Sequence, residues 1–557
     1  MRTDQTIAFA IHTQLAAFPD RVLMRYLQNG DHETAALTGA DIETAGRRVA
    51  GGLGERGLAG CRALIVMETG PDFLGALVGC LYAGVVAVPA PEPRPGASLD
   101  RLERIAAACR PAIVIASPRI GEQLRLRALP GSVLFGVPTV DVDRLAEGGA
   151  PVDCPGLALD PRRPAILQYT SGTTGVPRGV ILDNHCLLAN IAASSRGMDV
   201  GQGEAPELLV NWMPHHHDMG LVGKILTPLV NGLETVHMSP LAFVQRPARW
   251  LTAISRYRAT TSGAPAFALD LCTRRVPDEI LDELDLSSWR TAFCGAEPVF
   301  ASTLAAFRRR FARAGLRPEA VFTCYGLAET TLYAAGAHRP SLHSEPELPP
   351  AGARAPCYLD AASRAAIQIV GPGGRPLGEG EEGEIWIRGS SVAAGYFRDE
   401  DATREVFRAR TEPDDGHEWL RSGDLGRIDG DRLSVTGRIK DVLIAEGVNV
   451  AAVDVERCAT GALPDLNADA AAAFQVAEEE GGPIILLVER QRGAAAEIGE
   501  REALHRARAA LFRDLGVTLA ELHILRPGSL SRTTSGKIRR GAARDLWIGE
   551  QSMAEAS

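Results

Sequence analysis

The sequence predicts an α/β protein in two parts. We expect a large N-terminal domain of parallel and mixed sheets covered by helices, with a β-rich subdomain, followed by a small α+β domain. The chain has 557 residues, whereas a single compact domain rarely exceeds about 250–300. Runs rich in β-branched residues alternate with helical stretches, which is typical of parallel sheets between helices. After Gly383 the pattern changes to short strands with polar turns.

The N-terminal elements can be predicted from local patterns. Segment 73–88 is uncharged, but it is shorter than the about 20 residues that span a bilayer, and Ala83-Gly84 interrupts it. It is predicted to form a buried helix, a turn and a buried strand, with no membrane span. Other strands are expected at 62–67, 112–117, 164–170, 207–213 and 365–370.

The C-terminal part begins after Gly437 by the same criteria. Its predicted elements are a helix near 451–460, a strand at 483–489, a helix across 498–515, a strand at 521–527 and a frayed tail from 551. The predicted domains are therefore 1–437 and 438–557, and the second has an ordinary domain size.

Composition excludes several classes of protein. Hydrophobic residues make up 45% and charged residues 23%, an ordinary globular balance, and the net charge of −10 argues against a nucleic-acid partner. The N-terminus lacks the basic start and continuous apolar core of a signal peptide. None of the ten scattered cysteines forms a C-x-x-C pair, which indicates small buried residues in a reducing cytoplasm rather than a zinc site.

The strongest local signal is the segment YTSGTTGVPRG at 169–179. Glycines allow backbone N–H groups to turn towards an anion, and serine and threonine hydroxyls add small donors. The segment does not match the Walker pattern. Taken alone, it is equally consistent with a phosphate-binding loop and with an ordinary turn.

Further motifs follow in a fixed order. They are FCGAEPV (293–299), CYGLAETT (324–331), GEIWIRG (383–389), RSGDLG (421–426), GRIKDVLI (437–444) and TTSGKIRR (533–540). Together with the glycine-rich loop they resemble the adenylate-forming superfamily of acyl-CoA synthetases, peptide-synthetase adenylation domains and luciferases. The segments that resemble the fatty acyl-AMP ligases in particular are 81–93, 212–223, 246–272 and 284–299.

The resemblance implies an enzyme that uses ATP and Mg²⁺ to activate a fatty acid as acyl-AMP. The acyl group then passes to the phosphopantetheine thiol of an acyl carrier protein, which is expected to be a separate chain. The resemblance also implies that the small C-terminal domain is mobile. One alternative is a fatty acyl-CoA ligase with coenzyme A as the acceptor. Another is a non-catalytic domain that binds adenylate or acyl chains.

The resemblance also assigns roles to individual residues. Catalytic roles fall to Lys537, to Glu329 and to His217 beside the reacting carboxylate, and Lys440 is expected at the hinge between the domains. The Mg²⁺ ligands are expected to be Glu329 and Thr174. ATP and AMP are expected to contact Thr170, Ser171, Gly172, Thr173, Thr174, Gly175, Gly295, Ala296, Glu297, Tyr325, Gly326, Asp424, Arg438 and Lys537. The acyl pocket is expected to contain Met219, Leu221, Val222, Ala264, Ala266, Phe267 and Tyr333.

Some features need separate interpretation. Arg178 stands where most relatives carry lysine, so the charge is kept but the geometry is not. The interval 332–382 is too short for the inserted segment that is usual in fatty acyl-AMP ligases, which favours the coenzyme A alternative, whereas the N-terminal motifs oppose it. The adjacent histidines at 215–217 are expected to point to alternating sides, so a shared metal ion is not expected.

Overall fold

The computed structural model describes residues 3–93, 98–147, 154–170, 177–201, 207–338, 352–445, 448–476, 482–491, 498–532 and 537–555. The chain divides into two compact units. The larger unit comprises Met1–Gly172, Val176–Ser422 and Ile428–Ser434. The smaller unit comprises Thr173–Gly175, Gly423–Arg427 and Val435–Ser557.

The strands that begin in the larger unit are β1 Val22–Gln28, β2 His32–Thr38, β3 Arg62–Val66, β4 Val86–Ala90, β5 Ile113–Ala116, β6 Thr139–Asp141, β7 Pro164–Tyr169, β8 Gly179–Asp183, β9 Leu208–Asn211, β10 Glu234–Met238, β11 Thr261–Pro265, β12 Thr291–Gly295, β13 Val321–Thr323, β14 Cys357–Tyr358, β15 Ile367–Val370, β16 Gly383–Ile387, β17 Leu420–Asp429 and β18 Arg432–Arg438.

The helices of the larger unit are α1 Ile7–Ala17, α2 Gly39–Glu55, α3 Pro71–Tyr82, α4 Asp100–Cys109, α5 Pro118–Arg127, α6 Val133–Gly136, α7 Val142–Glu147, α8 Asn184–Gly197, α9 Asp218–Leu221, α10 Thr227–Asn231, α11 Pro240–Gln245, α12 Ala248–Tyr257, α13 Ala266–Arg275, α14 Asp278–Glu283, α15 Ala301–Phe311, α16 Ala361–Ala366 and α17 Glu400–Phe407. The smaller unit contains β19 Val442–Ala445, β20 Val448–Ala451, α18 Ala452–Gly461, β21 Leu466–Gln475, β22 Ile484–Arg490, α19 Glu500–Leu515, β23 Glu521–Leu525 and α20 Arg540–Glu555.

Two sheets of the larger unit are mostly parallel. One has the order β6-β5-β3-β4-β7-β8, and only its edge strand β8 runs antiparallel to its neighbour. The other has the order β13-β12-β11-β9-β10-β1-β2, with β2 as the antiparallel edge strand. Central strands such as β3 and β5 are short apolar runs that are buried almost completely because helices pack against them, whereas the edge strand β2 is largely exposed.

The β-rich part is a five-stranded sheet in the order β14-β18-β17-β16-β15, and β17 and β18 each continue into the smaller unit. In the smaller unit, β19 and β20 form a hairpin, and β21-β22-β23 form a three-stranded sheet. Helices α18 and α19 pack against each other, and α18 and α20 both contact β21. The predicted fold class is confirmed.

Most predicted elements are present. The apolar segment 73–88 forms most of α3, a turn at Gly84 with φ of +66°, and the start of β4, and its helical and strand residues are buried. No helix of the described residues is long and apolar enough to cross a membrane. The prediction of a frayed tail from 551 was wrong for residues 551–555, because α20 continues to Glu555. Earlier in this helix, Ala543 and Trp547 lie one turn apart and pack on the three-stranded sheet, which anchors it.

Candidate active site

Three predicted site segments meet at one edge of the seven-stranded sheet. Strands β11, β12 and β13 are parallel neighbours, with Pro265 paired to Gly295 and Cys294 paired to Thr323. The segments that follow these strands carry the predicted pocket and nucleotide residues, beginning at Ala266, Ala296 and Tyr325. Ligands of open parallel sheets bind beyond the carboxyl ends of the strands, so this edge is where a site is expected.

The predicted nucleotide wall at Gly295, Ala296 and Glu297 has an unusual backbone. Ala296 has φ of +67°, a left-handed conformation that costs energy for a residue with a side chain. The carboxylate of Glu297 accepts a hydrogen bond from the backbone N–H of Phe267 at 2.9 Å. Because Phe267 is in the first turn of α13, the acid stabilises the start of that helix and ties the wall to the predicted acyl pocket.

The predicted adenine-contacting residue Tyr325 is held by a chain reversal. Its backbone pairs with Ala335, and its side chain is buried. A Cβ atom at Gly326 would lie only 1.6 Å from the carbonyl oxygen of Leu332, so this position requires glycine. The segment between these residues contains Glu329, in a short 3₁₀ helix at Ala328–Thr330.

Glu329 is oriented by a neighbour from a distant part of the chain. The hydroxyl of Tyr396 donates a hydrogen bond to Oε1 of Glu329 at 2.7 Å, and the backbone N–H of Ala393 donates to the Glu329 carbonyl at 2.9 Å. The β-branched Thr331 follows with φ of +69°, and its hydroxyl donates to the carbonyl of Ser391. A strained residue held by several bonds is a common feature of functional sites.

Arg178 contacts the same tyrosine. Its guanidinium lies 5.2 Å from the centre of the Tyr396 ring, and its Nε is 3.7 Å from Oδ2 of Asp399. Burial and Glu329 raise the pKa of Tyr396, so its hydroxyl keeps its proton. A planar guanidinium stacks on an aromatic ring better than a lysine does, which gives a physical reason for arginine at this position.

Most of the glycine-rich loop at 169–179 lies outside the described residues. Ser171, Gly172, Thr173, Thr174 and Gly175 lie outside the described residues. On its two sides, β7 and β8 pair antiparallel, with Tyr169 opposite Gly179. The backbone N–H of Thr170 donates to the carbonyl of Arg178 at 3.1 Å. The described flanks therefore form a hairpin stem.

The three adjacent histidines have different surroundings. His215 is buried with its ring centre 4.0 Å from that of Phe73, and its Nδ1 lies 3.1 Å from the Thr69 hydroxyl. Burial lowers the pKa of His215 to about 4, so it is neutral. His217 precedes α9 and is partly exposed, with its Nδ1 2.6 Å from Oδ1 of Asp218.

The predicted acyl-pocket residues are all buried or partly buried. One apolar cluster under the seven-stranded sheet contains Met219, Ala264, Ala266 and Tyr333, and Phe267 packs against it. Leu221 and Val222 are fully buried, but they are not members of this cluster. The structure therefore brings five of the seven predicted pocket residues together.

The remaining predicted residues belong to the smaller unit. Asp424 is buried, and Nε of Arg438 donates to its Oδ1 at 2.9 Å. Lys440 is exposed in a 3₁₀ turn at Ile439–Asp441. Lys537 is partly exposed. It directly precedes Ile538, whose backbone pairs with that of Arg532 in an isolated antiparallel β-bridge.

Comparison with known proteins identifies the family. The sequence profile described as "AMP-binding enzyme" matches residues 11–397, more than half of the chain. The chain belongs to the AMP-binding enzyme family. This AMP-binding enzyme is 32% identical to the long-chain-fatty-acid–AMP ligase FadD23 of Mycobacterium tuberculosis, over 95% of this chain and 94% of that protein.

Two further relatives support the more specific resemblance. The AMP-binding enzyme is 32% identical to the medium-chain-fatty-acid–[acyl-carrier-protein] ligase JamA of Moorena producens, over 93% of this chain and 91% of that protein. A structure solved in a study of fatty acyl-adenylate ligases from E. coli and L. pneumophila superposes with a TM-score of 0.84, at 30% identity over 99% of each chain. The predicted resemblance to fatty acyl-AMP ligases is confirmed.

Glu329 of this AMP-binding enzyme fits a magnesium site. Its carboxylate is a hard oxygen ligand, and the bond from Tyr396 fixes its orientation. Within the described ranges no group of three or more His, Cys, Asp and Glu residues could hold a metal ion. Mg²⁺ would therefore depend on this carboxylate together with nucleotide phosphates and water, as is usual for this ion. When bound, it would neutralise phosphate charge.

Sequence reasoning missed two residues of this AMP-binding enzyme. Tyr396 gave no signal, because its contact with Glu329 spans 67 positions of the chain. Lys224 was also missed, although it interrupts the apolar run MGLVGKILTPLV. The rarity of lysine in this chain was an available signal. Only three of the 59 Lys and Arg residues are lysines: Lys224, Lys440 and Lys537.

Proposed function

We propose that this AMP-binding enzyme activates a fatty acid with ATP as acyl-AMP and transfers the acyl group to the phosphopantetheine thiol of an acyl carrier protein. The observation that carries the proposal is the arrangement of residues beyond the carboxyl ends of β11, β12 and β13. There, an oriented acid, Glu329, lies four residues from the buried aromatic Tyr325. Relatives that match nearly the whole chain are named for this activity.

The chemistry requires positive charge. A carboxylate must attack the α-phosphate of ATP in line while pyrophosphate leaves, so two anions have to meet. We assign the neutralisation of this charge to Lys537, with Glu329 as the ligand that positions Mg²⁺. We assign to Asp424, held by Arg438, the acceptance of hydrogen bonds from the ribose hydroxyls. A hydrogen bond from a guanidinium fixes the direction of the carboxylate that accepts it.

The wall residues have binding roles in this proposal. Tyr325 offers an aromatic face to the adenine, with Gly295, Ala296 and Glu297 as the opposite wall. The left-handed backbone at Ala296 turns the chain directly after β12 and exposes its peptide groups. His217, at the start of α9, is assigned to the region of the reacting carboxylate. Lys440 is assigned to the hinge, and the domain boundary is proposed at 437/438, within the stretch Val435–Ser557 of the smaller unit.

The acceptor is the finer part of the proposal. A relative of similar length is named as a ligase that acts on an acyl carrier protein, which favours a carrier thiol over coenzyme A. The short interval 332–382 favours coenzyme A, which is therefore the second candidate. We place the enzyme in the cytoplasm, because all ten cysteines are free, as expected in a reducing compartment.

Pyrophosphate exchange tests the first half-reaction. Purified enzyme with Mg-ATP and fatty acids of graded length should exchange labelled pyrophosphate into ATP. Lys537→Ala should lower kcat by at least about 100-fold, because it removes a charge that stabilises the transition state. Arg513→Ala, which removes an exposed cation of the smaller unit, is the matched control and should retain the rate. Undiminished exchange in Lys537→Ala would contradict the assignment.

A further inference from the structure

Lys224 is the most unusual ionisable residue of the described chain. It is completely buried, in a π-helical turn at Val222–Leu226 between α9 and α10. Its Nζ lies 4.2 Å from the centre of the Phe293 ring. Among the described residues its Nζ has no hydrogen-bond partner. A buried ammonium normally has a carboxylate or several carbonyl groups around it.

The composition of the chain makes this lysine more significant. With only three lysines among 59 basic residues, arginine serves almost everywhere that a surface cation is needed. Two of the three, Lys440 and Lys537, stand at positions to which we assign hinge and catalytic roles. The third is buried, where a flexible stem with a compact charge differs most from a planar guanidinium. Lys224 is thus the buried one of the three lysines, at a place where the two kinds of cation are least interchangeable.

The ammonium lies close to the candidate active site. Phe293 is on β12, two residues before Gly295, so both are on the same face of the sheet. A Cβ atom at Gly263 of β11 would lie 2.4 Å from the Phe293 ring, so glycine there is what allows the ring its position. Phe293 belongs to the same apolar cluster as Met219 and Tyr333 of the predicted acyl pocket.

The described residues do not neutralise Lys224. A contact with one aromatic ring stabilises a cation by less than the burial of its charge costs. Burial lowers the pKa of Lys224 to about 7. Two titratable groups interact with it, Cys324 and His237; burial raises the pKa of the thiol and lowers that of the imidazole to about 3, so both are neutral. The described residues offer the ammonium no partner, and a bound acid can supply one.

We propose that Lys224 is a specificity-determining residue that selects acids whose acyl chain carries an oxygen hydrogen-bond acceptor close to the carboxyl end. The oxygen belongs to a second carboxylate, a keto group or a hydroxyl group. This inference rests on the proposed function, because it concerns the acid that is adenylated. A plain alkyl chain leaves the amine unpaired, whereas an oxygenated chain satisfies it, and an unpaired buried polar group lowers affinity by roughly 10- to 100-fold.

The test compares acids of equal length in the pyrophosphate-exchange assay. The set contains a plain fatty acid and its hydroxy, keto and dicarboxylic analogues, each oxygenated near the reacting carboxyl group. Wild-type enzyme should prefer one oxygenated analogue over the plain acid by roughly 10- to 100-fold in kcat/KM. The best analogue identifies the acceptor: the dicarboxylic acid indicates an ion pair, and the keto or hydroxy acid indicates a neutral hydrogen bond.

Two variants assign the preference to Lys224. Lys224→Met should abolish it by lowering kcat/KM for the oxygenated acid while leaving or raising that for the plain acid. Lys224→Gln should keep activity on a keto or hydroxy acid but not on a dicarboxylic acid. Leu226→Met, in the same turn and equally buried, is the control and should keep the wild-type preference. Thermal unfolding of each variant shows that it is folded.

Each outcome has a definite meaning. A wild-type preference for the plain acid over every analogue overturns the inference and leaves the proposed function intact. An equal loss for all acids in Lys224→Met also overturns it, because a structural role would act on every substrate alike. Absence of exchange with every acid contradicts the proposed function and, with it, the inference. If the partner is a carboxylate, the preference should decline above about pH 7 in the wild type and show no such decline in Lys224→Met.

Discussion

Tyr396 links two residues that the sequence motifs leave unconnected. Its hydroxyl holds Glu329, and its ring supports Arg178. An outer residue that orients a metal ligand is often worth 10- to 100-fold in metal affinity or activity. Arg178 therefore acts on the site through the tyrosine as well as through its charge.

Tyr396→Phe should weaken the use of Mg-ATP without unfolding the protein. Loss of the hydroxyl frees the Glu329 carboxylate to rotate, so kcat/KM for Mg-ATP should fall about 10-fold or more, and a higher Mg²⁺ concentration should restore part of it. Steady-state exchange kinetics over a Mg²⁺ titration measure both effects. Tyr257→Phe is the control, because it removes the hydrogen bond from the Tyr257 hydroxyl to Glu33. It should change neither kcat/KM for Mg-ATP nor the dependence on Mg²⁺. Identical Mg²⁺ dependence in Tyr396→Phe and wild type would argue against this role.

Lys224 should make stability depend on pH. Its pKa is lowered from 10.5 to about 7 on folding, so the unfolded chain binds the proton more tightly. Below about pH 7 the full penalty of burying the charge is present. As pH rises to about 10 the penalty disappears, and the free energy of unfolding rises by up to about 1.4 kcal/mol per pH unit from this group.

Lys224→Met should therefore be more stable than the wild type at pH 6, by an amount that shrinks towards pH 10. Urea unfolding of both proteins across this range measures the difference, and the subtraction removes the contribution of other groups. Leu226→Met should show a constant difference from wild type. A difference for Lys224→Met that is independent of pH would show that the lysine does not titrate in the folded protein.

Motif residues could be proposed from the sequence because each lies in a short segment whose spacing carries the signal. Glu329, Asp424 and Lys537 belong to this class. Tyr396 was not predictable, because its role depends on a contact between segments far apart in the chain. The unpaired state of Lys224 likewise depends on packing against Phe293 of another strand.

At the scale of elements, the turn at Ile439–Asp441 separates β18 from β19. Its central residue, Lys440, is exposed, so its side chain does not hold the turn in place. A hinge needs a few residues that can change their backbone angles. Proline fixes φ and removes an N–H group.

Lys440→Pro should therefore spare adenylation and block thioester formation, because only the second step is expected to need the domain movement. Exchange of pyrophosphate and acyl transfer to a holo carrier protein are measured on the same preparation. Lys440→Ala, which leaves φ free, should retain both half-reactions. Equal loss of both steps in the proline variant would refute the hinge assignment.

Arg540 connects the turn at Ile439–Asp441 to helix α18 of the smaller unit. It donates to Oδ2 of Asp441 at 2.9 Å and to both carboxylate oxygens of Glu456 at 2.6 and 2.8 Å. The two acids raise the pKa of this buried arginine further. Oε1 of Glu456 also accepts the backbone N–H of Ala473, so the network reaches β21.

Arg540→Met should destabilise the smaller unit by about 1–3 kcal/mol, because it leaves the buried Glu456 carboxylate and the partly exposed Asp441 carboxylate without this partner. Thermal and urea unfolding, followed by limited proteolysis to locate the cleaved unit, measure the effect. Arg513→Met, at an exposed ion pair, should leave the stability close to that of the wild type. Equal stability of the two variants would show that the network contributes little.

Elements with a clear apolar pattern were predictable, including β3, β5, β7, β22 and α19. Helix α20 was not predicted, and its last residues were expected to be a frayed tail, because the last turn is polar and carries no apolar pattern of its own. The π-helical turn at Val222–Leu226 was also not predictable, since a π turn differs from an α turn in backbone register rather than in composition.

At the scale of the whole molecule, the two-part organisation was predictable from chain length and from the change of pattern after Gly383. The choice of acceptor is different, because carrier-protein ligases and coenzyme A ligases share the first half-reaction. The resemblance of the N-terminal motifs favours a carrier protein, and the short interval 332–382 favours coenzyme A.

A direct competition between the two acceptors tests whether the acyl group passes to a carrier protein or to coenzyme A. The enzyme is given Mg-ATP, a set of fatty acids and their oxygenated analogues, and coenzyme A together with a holo acyl carrier protein. Products are identified by mass spectrometry. We predict acyl-AMP and acyl-carrier protein without acyl-coenzyme A. Abundant acyl-coenzyme A would contradict the proposed function and assign the enzyme to the acyl-coenzyme A ligases.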